Sequence, residues 1–135
     1  MKISTKGIYA LRIMTDMANS LDEIWTTSAL AEKNYISAKY LEKIVSKLLK
    51  GGLLKSYRGS SGGYKLAKTP DKISIGDILT LTEGKMKTVS CVSKNGKCDL
   101  MPKCLTAGVW LKLDSIVNEF LSSTTLEDVI KQSIK

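Results

Sequence analysis

Three cysteines, Cys91, Cys98 and Cys104, lie in the segment CVSKNGKCDLMPKC with six and then five residues between them. Three thiolates in one loop can converge on a single soft metal centre, and the intervening Ser93, Asn95, Gly96 and Pro102 let the chain wrap around it. Ligation would neutralise the excess charge of Lys94, Lys97 and Lys103, and those lysines in turn favour the thiolate. The same residues also suit a peroxide-reactive thiol set or an incidental grouping, so spacing alone leaves metal, redox chemistry and plain burial open. An odd number of cysteines argues against a disulfide framework. The sequence contains no histidine, which removes the commonest metal ligand and the commonest general base. There is also no base-activated nucleophile pattern and no nucleotide-binding glycine motif, so an enzyme is not expected.

A second constellation carries charge rather than thiols. Residues 37–72 hold nine of the 21 basic residues and only two acids, Glu42 and Asp71, which places +7 of the formal +8 net charge in about a quarter of the length. Charge concentrated in this way points to a polyanion partner. Its first half predicts a helix: Ser37 is an N-cap, Leu41, Ile44, Val45 and Leu48 form one apolar face, and Gly51-Gly52 supplies a left-handed stop. The opposite face shows Lys39, Tyr40, Lys43, Ser46, Lys47 and Lys50. Its second half predicts a hairpin, with strands at 54–58 and 64–67 around the loop Gly59-Ser60-Ser61-Gly62-Gly63. A helix followed by a basic, glycine-tipped hairpin is the pattern of a winged helix, in which the helix enters the major groove and the hairpin reaches the backbone or minor groove.

The elements that must position this unit follow from periodicity. Ser4 caps a helix to about Ser20, with Gly7, Leu11, Met14, Ala18 and Leu21 along one side. Thr27 is read as the cap of a second helix from Ser28 to about Asn34, and Asn34-Tyr35-Ile36 as the turn of a helix-turn-helix. Ser74 caps a helix from Ile75 to about Thr82, with Ile75, Ile78, Leu79 and Leu81 apolar. From about Lys103 the helical period returns for about 18 residues, with Leu105, Val109, Leu113, Ile116, Val117, Phe120 and Leu121 as a broad stripe that predicts pairing with a second subunit. Thr125 and Asp128 form a capping box for a last helix through Ile130. The fold expected is mainly α with a small β-hairpin wing: a winged helix-turn-helix plus a long C-terminal dimerisation helix. Its segments are a DNA-binding unit at 1–83, a cysteine loop at 84–103 and a dimerisation and C-terminal helix region at 104–135. No apolar run approaches the roughly 18 residues of a membrane span, and the N-terminus lacks a secretory signal, so a cytoplasmic protein is expected.

Nearly the whole chain resembles the Rrf2 family of bacterial transcriptional regulators, in particular its IscR-type, NsrR-type and CymR-type members. The matching pieces are STKGIYAL, ISAKYLEKIVSKLLKGGLL, the wing YRGSSGGYKLAK, SIGDIL, the cysteine loop ending in CLT, and the terminal TTLEDVI. The resemblance implies a homodimer joined by the long helix, binding a double-stranded DNA operator. It further implies an iron–sulfur cluster, two-iron or four-iron, held by Cys91, Cys98 and Cys104. IscR-type members place a histidine three residues after the last cysteine; here that position is Ala107. The acidic ligand of NsrR-type members falls on Ile8, leaving Asp99, Glu83, a backbone group, water or an exogenous thiol as the fourth ligand. The DNA contact set it implies is Ser37, Lys39, Tyr40, Glu42, Lys43, Lys47, Arg58 and Tyr64, with Arg58 in the minor groove and Lys47, Lys50, Lys55 and Lys65 on phosphates. Glu42 either accepts from cytosine or pairs with Lys39 or Ser46 on the helix surface. The alternative is a clusterless CymR-like repressor controlled by a partner enzyme or by thiol oxidation; a cluster-delivery partner belongs to the first reading.

Overall fold

The computed structural model describes residues 2–59, 62–85, 87–89 and 103–135. Helix α1 spans Thr5–Asn19, α2 Thr27–Asn34 and α3 Ala38–Lys50; strands β1, Leu54–Tyr57, and β2, Gly63–Leu66, form the wing. A 3-10 turn at Pro70–Lys72 leads into α4, Ile75–Glu83, and the chain ends in α5, Ala107–Ser123, and α6, Leu126–Ile130.

Every α-helix except α5 begins where a hydroxyl side chain takes up a free backbone N–H. Ser4, Ser37 and Thr125 cap α1, α3 and α6 as the sequence predicts. The second helix starts one residue earlier than expected, because Thr26, and not Thr27, accepts from Ala29 N at 3.0 Å. Ser74 and Asp77 close a reciprocal capping box at α4. The first strand is one residue shorter than expected, ending before Arg58, and the second is shifted by one, with Gly63 inside the ladder and Ala67 outside it.

The core lies where α1, α2 and α3 meet: Ile13, Met14, Met17, Leu30, Leu41, Ile44 and Leu48 are fully buried. Helix α3 therefore hides its Leu41–Ile44–Val45–Leu48 face and leaves its lysines outside. Gly52, with φ 78°, occupies the left-handed region that ends α3 at low cost. Helix α4 packs against α1, and α6 returns to the same unit: Ile75 N donates to Thr124 O at 2.9 Å, Leu126 N donates to Ile73 O at 3.0 Å, and Leu126 is fully buried. Helix α5 behaves differently. Only Ala107 within it is buried, and Val109, Leu113, Ile116 and Phe120 of its apolar stripe are exposed while Val117 and Leu121 are half-buried. Leu105, expected on that stripe, precedes the helix and is exposed.

Candidate nucleic-acid interface

The wing is fixed to the helices by a third extended segment. Trp25 N donates to Tyr64 O at 2.9 Å and Tyr64 N donates to Trp25 O at 2.8 Å, so β2 is paired on both edges. Gly63 is required there, since a Cβ on it would strike the Trp25 carbonyl. The register Leu54 to Leu66, Lys55 to Lys65 and Ser56 to Tyr64 puts Leu54 and Tyr64 against the core and both lysines on the outer face. Like charges directly opposite across a ladder repel. Lys65 finds partial relief over the Tyr57 ring, 5.8 Å from its centroid, and a bound polyanion would remove the rest.

On α3, Lys39, Glu42, Lys43 and Lys50 are exposed, and Ser46 and Lys47 are half-buried. Ser37 accepts from Tyr40 N at 3.1 Å, which commits its hydroxyl to the cap. Tyr40 departs from the open face expected of it. It is half-buried and meets the Tyr9 ring edge-on, with centroids 6.1 Å apart, while Arg12 lies over Tyr9 at 5.2 Å. This aromatic contact, about 0.5–1.5 kcal/mol in similar pairs, fixes the start of α3 against α1. Glu42 makes neither of the helix-surface pairs considered for it: among the described residues it has no hydrogen bond and no ion pair. Arg58 is likewise exposed and unpaired at the wing tip, next to a cavity of about 420 Å³ lined by Thr26, Thr27, Ser56 and Gly62. Helix α3 and the wing thus present a cationic ridge with one free carboxylate on it, a surface suited to phosphates and base edges.

Of the three cysteines, Cys91 and Cys98 lie outside the described residues. Cys104 is partly exposed just before α5, with its sulfur 3.1 Å from Thr106 Oγ1. The Thr106 hydroxyl, helped by the backbone at Thr106 and Ala107, holds the Cys104 thiol below its ordinary pKa. A thiolate-prone donor at this point fits a soft metal. Of the other candidate ligands, Asp99 also lies outside the described residues. Glu83 accepts from Ser4 N at 3.0 Å and from the Ser4 hydroxyl, so its carboxylate is engaged in holding the end of α4 to the start of α1. Ala107 is buried at the first turn of α5.

A tri-helical core, a short helix-turn-helix connection and a basic two-stranded wing define a winged helix-turn-helix DNA-binding protein. The Rrf2 family model, described as an iron-dependent transcriptional regulator, matches residues 3–132, and the chain belongs to this family of DNA-binding transcriptional regulators. The chain is 40% identical over 130 residues to the HTH-type transcriptional regulator CymR of Bacillus subtilis (strain 168), covering 96% of this chain and 89% of that protein. It is 35% identical over 134 residues to the HTH-type transcriptional regulator IscR of Vibrio campbellii, covering 98% and 79%. The solved structure of CymR (YrzC), the global cysteine regulator of B. subtilis, superposes with a TM-score of 0.82 at 38% identity and 98% coverage of both chains. Among the described residues no helix is long and apolar enough to cross a membrane.

Proposed function

We propose that this protein is a cytoplasmic homodimer that binds a roughly palindromic operator and whose affinity is set by an iron–sulfur cluster on Cys91, Cys98 and Cys104. The observation that carries the operator reading is the ridge formed by Lys39, Glu42 and Lys43 on α3 and Arg58 on the wing, all exposed and, among the described residues, with Glu42 and Arg58 unpaired. Lysines donate to guanine, Glu42 accepts from cytosine N4, and arginine suits the negative potential of a narrow minor groove. Val109, Leu113, Ile116 and Phe120, exposed along one face of α5, are the surface through which two protomers join.

A bound cluster supplies iron- and redox-responsive thiolate ligation. The chain's own contribution is to present Cys104 directly before α5, with Thr106 stabilising the thiolate. Whatever Cys104 binds is therefore tied to the helix that sets the angle between two recognition helices, and half-site spacing is sensitive to that angle. Two observations favour the clusterless reading instead: the engagement of Glu83 by Ser4, and the alanine at position 107. In that case Cys104, its thiolate favoured by Thr106, is an oxidisable thiol and the controlling signal is redox or a partner enzyme.

Anaerobic purification separates the two. The cluster reading predicts brown protein containing iron and inorganic sulfide, colourless after Cys91→Ala, Cys98→Ala and Cys104→Ala together. Operator affinity of the loaded protein and of that triple variant should then differ by about fivefold or more at equal salt, the lower end of ordinary allosteric coupling. Colourless, iron-free parent protein would leave the thiol reading; equal affinities would end the cluster switch while leaving DNA binding intact.

A further inference from the structure

The turn between α2 and α3 carries a feature that the fold does not account for. Ile36 N donates to Ala31 O at 3.1 Å and Tyr35 N to Glu32 O at 3.3 Å, which closes α2 in a Schellman-type motif with Tyr35 at the left-handed position, φ 55° and ψ 42°. Glycine or asparagine normally takes this place, because a Cβ there meets the following backbone. Tyrosine is disfavoured, and among the described residues its side chain makes no contact that offsets this. It is 91% exposed, and among the described residues it makes no hydrogen bond and no ring contact. The other left-handed non-glycine residue among those described, Gln132, is different: its side-chain amide donates to Val129 O at 2.9 Å and so helps close its own helix. A strained residue with an idle aromatic side chain, two positions before the cap of the recognition helix, calls for a partner outside the chain.

We infer that Tyr35 is a DNA-contacting residue, its ring seated on a deoxyribose and its hydroxyl donating to a backbone phosphate beside the groove that receives α3. The inference rests on the operator reading and extends it to a residue outside the basic set. The phenol has the chemistry for this place: an apolar face for the sugar, one strong donor for the phosphate, and little conformational freedom to lose. Lys39 and Lys43, exposed near the start of the adjoining helix, draw a duplex toward this end of α3. A backbone contact carries no sequence information, so its loss should weaken all duplexes alike.

The test uses the full-length protein and two probes, a duplex selected by the parent from a randomised library and a scrambled duplex of equal composition. Tyr35→Gly and Tyr35→Asn are each expected to weaken both probes by about tenfold at fixed salt, as two symmetric copies each lose the ring contact with the sugar as well as the phosphate hydrogen bond. Tyr35→Phe, which keeps the ring, is expected to show a smaller loss, about threefold. Because glycine relieves the left-handed strain and removes no hydrogen bond or ring contact among the described residues, the melting temperature of Tyr35→Gly should equal or exceed that of the parent. Parent-like affinity in both Tyr35→Gly and Tyr35→Asn would overturn the assignment, and a loss confined to the selected duplex would overturn its backbone character. If the parent bound neither probe, the operator reading itself would fail; if Arg58→Ala weakened binding and Tyr35→Gly did not, the Tyr35 role alone would fall.

Discussion

Arg58→Ala is expected to lower affinity for a selected operator by at least about 30-fold while leaving the fold untouched. An arginine that reads a groove is worth about 1–3 kcal/mol per copy. A symmetric dimer carries two copies far enough apart to add, so about 2 kcal/mol is the least expected, or roughly 30-fold. Arg58 is exposed and makes no hydrogen bond or ion pair among the described residues, so removing it costs the protomer nothing specific. The melting temperature should therefore move by no more than about 3 °C, the range of ordinary surface changes. Arg58→Lys keeps the charge and loses the planar fork of donors, and should fall between the two. Titration by fluorescence anisotropy against a labelled duplex measures all three, and parent-like affinity in Arg58→Ala would remove the wing from the interface.

The second large effect concerns assembly. Leu113→Asp combined with Ile116→Asp is expected to convert the dimer to a folded monomer and to lower operator affinity by roughly 100-fold or more, the usual scale of lost bivalency. Leu113 and Ile116 are 42% and 52% exposed in the protomer, so an aspartate at either place stays hydrated in the single chain. In the dimer the same carboxylates would stand buried and unpaired against each other, which is strongly unfavourable. Analytical ultracentrifugation together with circular dichroism separates the outcomes: helical monomer supports α5 as the joining surface, whereas helical dimer with undiminished operator affinity rules it out.

These predictions rest on elements of unequal legibility. The recognition helix could be read directly, because Leu41, Ile44, Val45 and Leu48 follow the helical period between a serine cap and a glycine stop. The wing could be read for the same local reason, though the first strand stops before Arg58 and the second runs from Gly63 to Leu66. What could not be read depends on contacts between distant residues. The pairing of Trp25 with Tyr64 is a single bridge with no strand-like run around Trp25. The return of α6 depends on Ile73 meeting Leu126, 53 residues later, and no periodicity announces it. Tyr40 falls at a position that the wheel assigns to solvent; its burial needs Tyr9, on another helix. Glu83 stands in the sequence as a spare carboxylate ahead of the cysteines, and its engagement by Ser4, 79 residues away, follows from no local pattern. At Tyr35 the turn was legible from its length, but its left-handed backbone was not, because no glycine marked it.

The most direct measurement is the salt dependence of duplex binding by the parent protein. Lys47, Lys50, Lys55 and Lys65, doubled in a dimer, offer eight phosphate partners. Plotted as log affinity against log salt between about 50 and 200 mM, eight released counterions give a slope of roughly −7. A steep line near that value is the result expected of a cationic helix and wing clasping a duplex; a flat line, or no association even at the lowest salt, would contradict it.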